Sequence, residues 1–289
     1  MKYRNYQLSH VDCGDFTIAG YSVAGEESLV IVPELDCTLD IGKCPREALT
    51  VNNVLISHGH MDHVAGLPYY FAQRDFQGIP VGTAVVPADL AGPLEDLMQA
   101  FGRVEGHVAP YRLVGVRDGY DYEIRRGLVA RAFNVRHRHP AGALGYSLID
   151  VRNKLKDEFL GLVGPQIVEL KNKGVEITHR VEYPLVAYLG DTDNTNYSDL
   201  PHVANAKVLL VEVTFFEADH VSRAREGRHV HVLDLPAMLE GMKNEKVVII
   251  HVTRRTNLSA ARAMLKAELP AQTLERVTFL MGRKYIEED

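Results

Sequence analysis

The sequence predicts a layered α/β fold in which helices cover β-sheets. Short apolar and β-branched runs bounded by Gly, Pro or Asp recur along the chain, and stretches of helical periodicity fall between them. In addition, 289 residues, 46% of them hydrophobic, suffice to bury a large core without disulfide staples. Taken in order, 28–32 (S-L-V-I-V), 38–41 and 54–56 (V-L-I) read as strands, followed by helical patterns at 62–73 and 92–103. Strands at 129–135, 146–149, 185–189 and 208–211 come next. A helix at 232–243, a strand at 247–250, a helix at 257–268 and a strand at 277–280 complete the series.

No low-complexity tract, charge block, linker or solenoid-period repeat marks a boundary, so one unit spanning 1–289 is expected. Within it, 152–180 is the most polar long segment, with six Lys or Arg against four Asp or Glu, and is expected to protrude. Cys13, Cys37 and Cys44 contain no C-x-x-C pair, which disfavours a disulfide framework or a four-cysteine zinc ribbon and suits a reducing, cytoplasmic setting. The opening M-K-Y-R-N-Y-Q-L lacks an apolar signal core, and no run approaches the ~18 apolar residues of a bilayer span, so no membrane association is expected. A net charge of −6 excludes a uniformly basic surface for non-specific nucleic-acid binding but allows a local basic patch.

The chemistry concentrates where strands end. The strand at 54–56 runs into S-H-G-H-M-D-H, placing four candidate ligands, His58, His60, Asp62 and His63, within six positions. His58 and His60 at i, i+2 point the same way from extended backbone, while Asp62 and His63 turn toward a neighbouring point as a helix begins. That pattern suits two adjacent metals. Three other apolar strands end in a ligand type, at His137, at Asp191 (after Gly190, which allows close backbone approach) and at His251.

These residues, with D-I-G-K-C-P at 40–45, A-F-N-V-R-H at 132–137, K-L-K-D-E-F-L-G-L at 154–162, G-V-E-I-T at 174–178, G-D-T at 190–192, V-E-V-T-F at 211–215, R-H-V-H at 228–231 and H-V-T-R-R at 251–255, resemble the ribonuclease Z family of the metallo-β-lactamase superfamily in its short plant-type form. The resemblance covers nearly the whole chain and implies a four-layer αββα sandwich with two mixed sheets. It implies that His58, His60 and His137 hold one zinc and Asp62, His63 and His251 the other, with Asp191 and a hydroxide bridging. Manganese or iron could replace zinc on such ligands. In R-H-R-H-P, both His137 and His139 are available as the third ligand of the first metal, with His137 preferred on its spacing from Phe133.

The same resemblance makes His229 a non-ligand catalytic histidine that contacts the scissile phosphate, with Glu212 orienting it and Asp62 orienting the hydroxide. His231, at strand spacing from His229, is the alternative. Two positions depart from the family pattern: Val213 stands where a small residue is usual, and Arg228 where a glycine normally precedes the catalytic histidine. Candidate RNA contacts are Arg152, Lys154, Lys156, Lys171, Lys173, Arg223, Arg225 and Arg228, weighed against an ordinary solvated surface. Tyr69, Tyr70 and Phe71 are expected in the core. The implied activity is removal of the 3′ trailer of precursor tRNA, cut on the 3′ side of the discriminator base, by a homodimer. The rivals are a small-substrate hydrolase on the same site, acting on a cyclic nucleotide, another phosphodiester, an ester or a lactam, and a non-catalytic metal-containing RNA-binding protein.

Overall fold

A computed structural model describes residues 8–280. The first seven-stranded sheet holds β1 (Ser9–Asp12), β2 (Thr17–Val23), β3 (Glu27–Val32), β4 (Cys37–Ile41), β5 (Asn53–Leu55), β6 (Thr83–Pro87) and β7 (Leu113–Val116), side by side in chain order. The second holds β8 (Asp121–Arg125), β9 (Leu128–Asn134), β10 (Leu144–Leu155), β11 (Thr178–Tyr188), β12 (Val208–Glu212), β13 (Lys246–Ile250) and β14 (Val277–Phe279), also in chain order. Both halves follow one pairing scheme: the first four strands are antiparallel neighbours and the last three join in parallel. The chain therefore repeats a topology without repeating a sequence.

Alternation along the strands sorts the apolar residues into three layers. Leu39, Leu55, Tyr188, Val208, Leu210 and Val248 fill the space between the sheets. Ile41, Val54 and Ile56 face the helices of the first half, α1 (Met61–Val64), α2 (Leu67–Phe76) and α3 (Ala91–Glu105), through Val64, Leu67, Tyr70, Phe71 and Leu94. Leu209, Val211 and Ile249 face Val203, Met238 and Leu265. The helices of the second half are α4 (Gly164–Asn172), α5 (Pro201–Ala204), α6 (Val221–Gly227), α7 (Leu235–Met238), α8 (Leu258–Glu268) and α9 (Ala271–Leu274). Helix, sheet, sheet, helix is the four-layer order expected.

All nine sequence-predicted strands form, but two predicted helices are interrupted. The span 62–73 divides into α1 and α2 because a side chain at Gly66 would lie 2.7 Å from the Ile41 carbonyl oxygen, and Pro68 starts the next helix. The span 232–243 contracts to a 3₁₀ turn and α7, closed by Gly241 at φ +77°. Tyr70 and Phe71 are core residues, whereas Tyr69 is half exposed. In the polar segment, β10 and β11 stay paired from Asp150↔Tyr183 out to Leu155↔Thr178, beyond the last β9 pairing at Asp150, and carry α4, which buries no residue. Among the described residues no helix is long and apolar enough to cross a membrane.

Candidate metal centre

β4, β5, β9, β11, β12 and β13 deliver polar side chains from their carboxyl ends to one rim of the sandwich. His58 follows β5, His137 follows β9, Asp191 follows β11, Glu212 ends β12 and His251 follows β13. Nε2 of His58 and Nδ1 of His60 are 2.9 Å apart, and Nε2 of His137 lies 3.3 Å from the same Nδ1. With a carboxylate oxygen of Asp191 these atoms fall within 4.8 Å of one another. A second group joins Asp62, His63 and His251: Nε2 of His251 is 3.4 Å from Nε2 of His63 and from Oδ2 of Asp62. Oδ2 of Asp191 lies 3.4 Å from Nε2 of His63 and of His251, and 3.8 Å and 3.9 Å from Nε2 of His58 and His137, so it stands between the groups.

Gly190 makes this approach possible. It adopts φ +60°, and a Cβ there would come 2.9 Å from Ser57 Cβ. His251 takes φ +58° without that licence, a local strain of about 1–3 kcal/mol that the surrounding packing must hold.

Each half orients its imidazoles through a buried carboxylate. Oδ2 of Asp40 accepts Nδ1–H of His63 at 2.7 Å and the Ser57 hydroxyl at 2.7 Å, and that hydroxyl accepts Nδ1–H of His58 at 2.9 Å. Glu212 does the same in the second half: Oε1 accepts Nδ1–H of His229 at 2.9 Å, and Oε2 accepts the Thr214 hydroxyl, which accepts Nδ1–H of His251 at 3.0 Å. Nδ1–H of His137 goes to the Arg228 carbonyl at 3.2 Å. With these Nδ1–H groups so engaged, Nε2 of His58, His63, His137 and His251 is turned toward the others and toward carboxylates, while His60 presents its Nδ1. Oδ1 of Asp191 is buried without a hydrogen-bond partner among the described residues. A space walled by acceptors, with an orphaned carboxylate oxygen, fits divalent cations.

The comparisons with known proteins agree with this geometry. The Beta-lactamase superfamily domain model matches residues 36–252. The tRNase Z TRZ1 of Arabidopsis thaliana is 35% identical over 247 residues, 83% of this chain and 86% of its own. The chloroplastic tRNase Z TRZ2 of the same plant is 34% identical over 266 residues, 89% and 73% of the two lengths. The chain belongs to the ribonuclease Z family. In fold it also resembles the metallo-β-lactamase fold protein YhfI from Bacillus subtilis, with a TM-score of 0.62 at 14% identity, covering 90% of this chain and 93% of that one. It is a metal-dependent hydrolase of that family, and its His/Asp clusters are of the binuclear type.

Electrostatics at the ribonuclease Z site separate its histidines. Burial holds His58, His60 and His137 below the usual imidazole range, the neutral form that offers a lone pair. His63 is buried too, but the charges of Asp191 and Asp40 hold it well above that range. Against its own burial, the hydrogen bond with His251 and the neighbouring His63 bring Asp62 down to about 2. His229 is 19% exposed and stacks on His251 at 5.4 Å between centroids. Although burial opposes it, the Glu212 carboxylate raises His229 to about 9.

The alternatives left open by sequence separate geometrically. His139 stands outside both groups, its Nδ1 accepting the Ala141 N–H at 3.2 Å, while His137 lies inside. His231 is buried and turned away: Nε2–H donates to the Glu217 carbonyl, and Nδ1 accepts the Leu233 N–H. Asp40 is the site residue that ligand spacing missed, since it is no ligand and its partners lie far along the chain. Of the basic candidates, Arg152 pairs with Asp150, Lys156 with Glu176 and Lys173 with Glu169, Arg152 and Lys154 lie over Tyr183, and Arg223 lies over Phe215. Arg225 is 3.9 Å from Asp234, and Lys171 and Arg228 pair with no carboxylate among the described residues.

Proposed function

We propose that this protein removes the 3′ trailer of precursor tRNA, hydrolysing the phosphodiester on the 3′ side of the discriminator base. The observation that carries the reading is the Asp191 oxygen shared between two histidine groups, in a chain related over most of its length to proteins named tRNase Z. In this reading His58, His60 and His137 would hold one zinc and Asp62, His63 and His251 a second, with the Asp191 carboxylate available to both. Two cations so held neutralise phosphate charge and acidify water.

The chain's own groups do the rest. Asp62 is fixed by the Gly25 N–H at 2.8 Å, so a carboxylate oxygen is steady beside the scissile phosphate and orients the attacking water. His229 is locked through Nδ1 to Glu212, and its Nε2 has no partner among the described residues. Held charged by Glu212, it carries a proton on Nε2 that it would deliver to the leaving oxygen. We also propose a cytoplasmic homodimer, on the family resemblance; light scattering of the purified protein tests the dimer.

The test of function is cleavage of a 3′-extended precursor tRNA by metal-loaded protein, beside Asp62→Ala and a chromogenic phosphodiester. A single cut after the discriminator base, absent in the variant, is expected. Turnover of the small ester alone would replace this reading with a small-substrate hydrolase.

A further inference from the structure

α6 ends at Gly227, and the next residue, Arg228, adopts φ +53° and ψ +58°. That is the left-handed region, where glycine has no penalty and a side chain on Cβ does. The backbone here is needed in this conformation, since the Arg228 carbonyl accepts Nδ1–H of His137. Glycine would satisfy that need at lower cost, so what arginine adds must come from its side chain.

That side chain lines a cleft of about 440 Å³ together with His229, Arg136, Arg225, Asp193 and Asp234. Both carboxylates already have partners: Asp193 accepts the Thr195 N–H at 3.1 Å, and Asp234, within the cleft, accepts from Asn194 at 3.3 Å and has Arg225 at 3.9 Å. The guanidinium groups of Arg136 and Arg228 have no carboxylate within ion-pair distance and no hydrogen bond among the described residues. Two unpaired, exposed guanidiniums therefore share a cleft with the histidine placed at the scissile phosphate. Planar five-donor groups of this kind match phosphate oxygens in pairs.

We infer that Arg228, with Arg136 and Arg225, forms an anion subsite that grips a phosphodiester of the RNA strand adjacent to the one being cleaved. The inference rests on the RNA-processing reading above, and adds a specificity element particular to this chain. Its role is to position the strand, not to take part in bond breaking.

Three substitutions separate charge from backbone. Arg228→Gln removes charge and keeps the left-handed side chain, Arg228→Lys keeps both, and Arg228→Gly removes both. The readouts are anisotropy of a labelled single-stranded oligoribonucleotide on metal-loaded protein between about 50 and 200 mM salt, kinetics on precursor tRNA, and thermal unfolding. Arg228→Gln is expected to reduce the slope of log affinity against log salt by roughly 0.7, the value of one single-strand phosphate contact. Its KM should rise by more than its kcat falls. Arg228→Lys should retain the slope. Arg228→Gly should show the same reduction in slope yet unfold about 2 °C higher, because the strained side chain is gone.

Wild-type affinity and slope in Arg228→Gln would overturn the subsite, as would a wild-type protein that binds no RNA at any salt. A lower unfolding midpoint in Arg228→Gly would overturn the argument that the side chain is kept for binding. If the oligoribonucleotide slope depends on Arg228 while precursor tRNA is not cut, the subsite stands and the tRNA reading fails.

Discussion

Nδ1 of His63 lies 2.7 Å from Oδ2 of Asp40, a carboxylate that also accepts the Ser57 N–H at 2.6 Å and the Tyr188 hydroxyl at 2.5 Å. Asp40 is wholly buried and holds φ +58°, so backbone and side chain are both committed to orienting imidazoles. Arg228, His251 and Asp40 make up three of the four left-handed non-glycine residues described, and all three border the metal centre.

Asp40→Asn tests this commitment. An amide cannot accept from Ser57, Tyr188 and His63 together, and it turns an N–H toward a donor. Zinc affinity, measured by chelator competition, is expected to fall about 10- to 100-fold. Unchanged affinity would mean that His63 needs no orienting partner.

Glu212→Gln should separate chemistry from metal binding. The carboxylate holds His229 directly and His251 only through Thr214, so kcat is expected to fall by about 10²-fold while both metals remain bound. Metal analysis of the same preparation is the check. Parallel loss of metal and rate would place the role of Glu212 on His251 instead.

Gly42 passes beneath Asp62. A Cβ there would lie 1.9 Å from the Asp62 carbonyl oxygen and 2.9 Å from the Ser28 nitrogen, both backbone atoms that cannot swing aside. Gly42→Ala is therefore expected to displace Asp62, to lower stability by about 1–3 kcal/mol and to release the metal of the Asp62 group. Thermal unfolding with metal stoichiometry reads both effects.

How much of this was legible depended on how local each signal was. His58, His60, Asp62 and His63 share one turn of chain, so spacing alone exposed them. The choice between His137 and His139 lay in a loop, 136–142, whose path is set when Val135 N–H meets the Ala143 carbonyl; no local pattern encodes that closure. Asp40 reads as an odd charge at the end of an apolar strand until β4 pairs with β5 and sets it beside Ser57. The strands missed were β1, β2 and β6 to β8. β2 and β7 carry interior glycines, and β8 is half exposed with polar alternation, so neither period nor propensity marked them. The left-handed turn at Arg228 follows a short helix, α6, that its sequence does not announce.

A pH-dependent stability is expected away from the metals. Arg131 reaches Asp121 at 2.7 Å and Glu182 at 2.9 Å, and its hydrogen bonds hold both carboxyls below their ordinary range. Folded pKa values below the unfolded ones give a stabilisation that is present at neutral pH and lost as pH falls through the folded values. Arg131→Gln should therefore cost about 1–2 kcal/mol at pH 7, with the gap to wild type narrowing below about pH 4. Denaturant titrations at the two pH values decide it, and a gap independent of pH would contradict the assignment.

The central claim is that one Asp191 carboxylate joins two metal sites, each built from side chains of both halves of the sandwich. Anomalous scattering from a zinc-loaded crystal measures this directly. The expected result is two peaks about 3.5–4 Å apart, one on His58, His60 and His137, the other on Asp62, His63 and His251, with Asp191 touching both. A single peak, or a peak bound by His139 in place of His137, would contradict it.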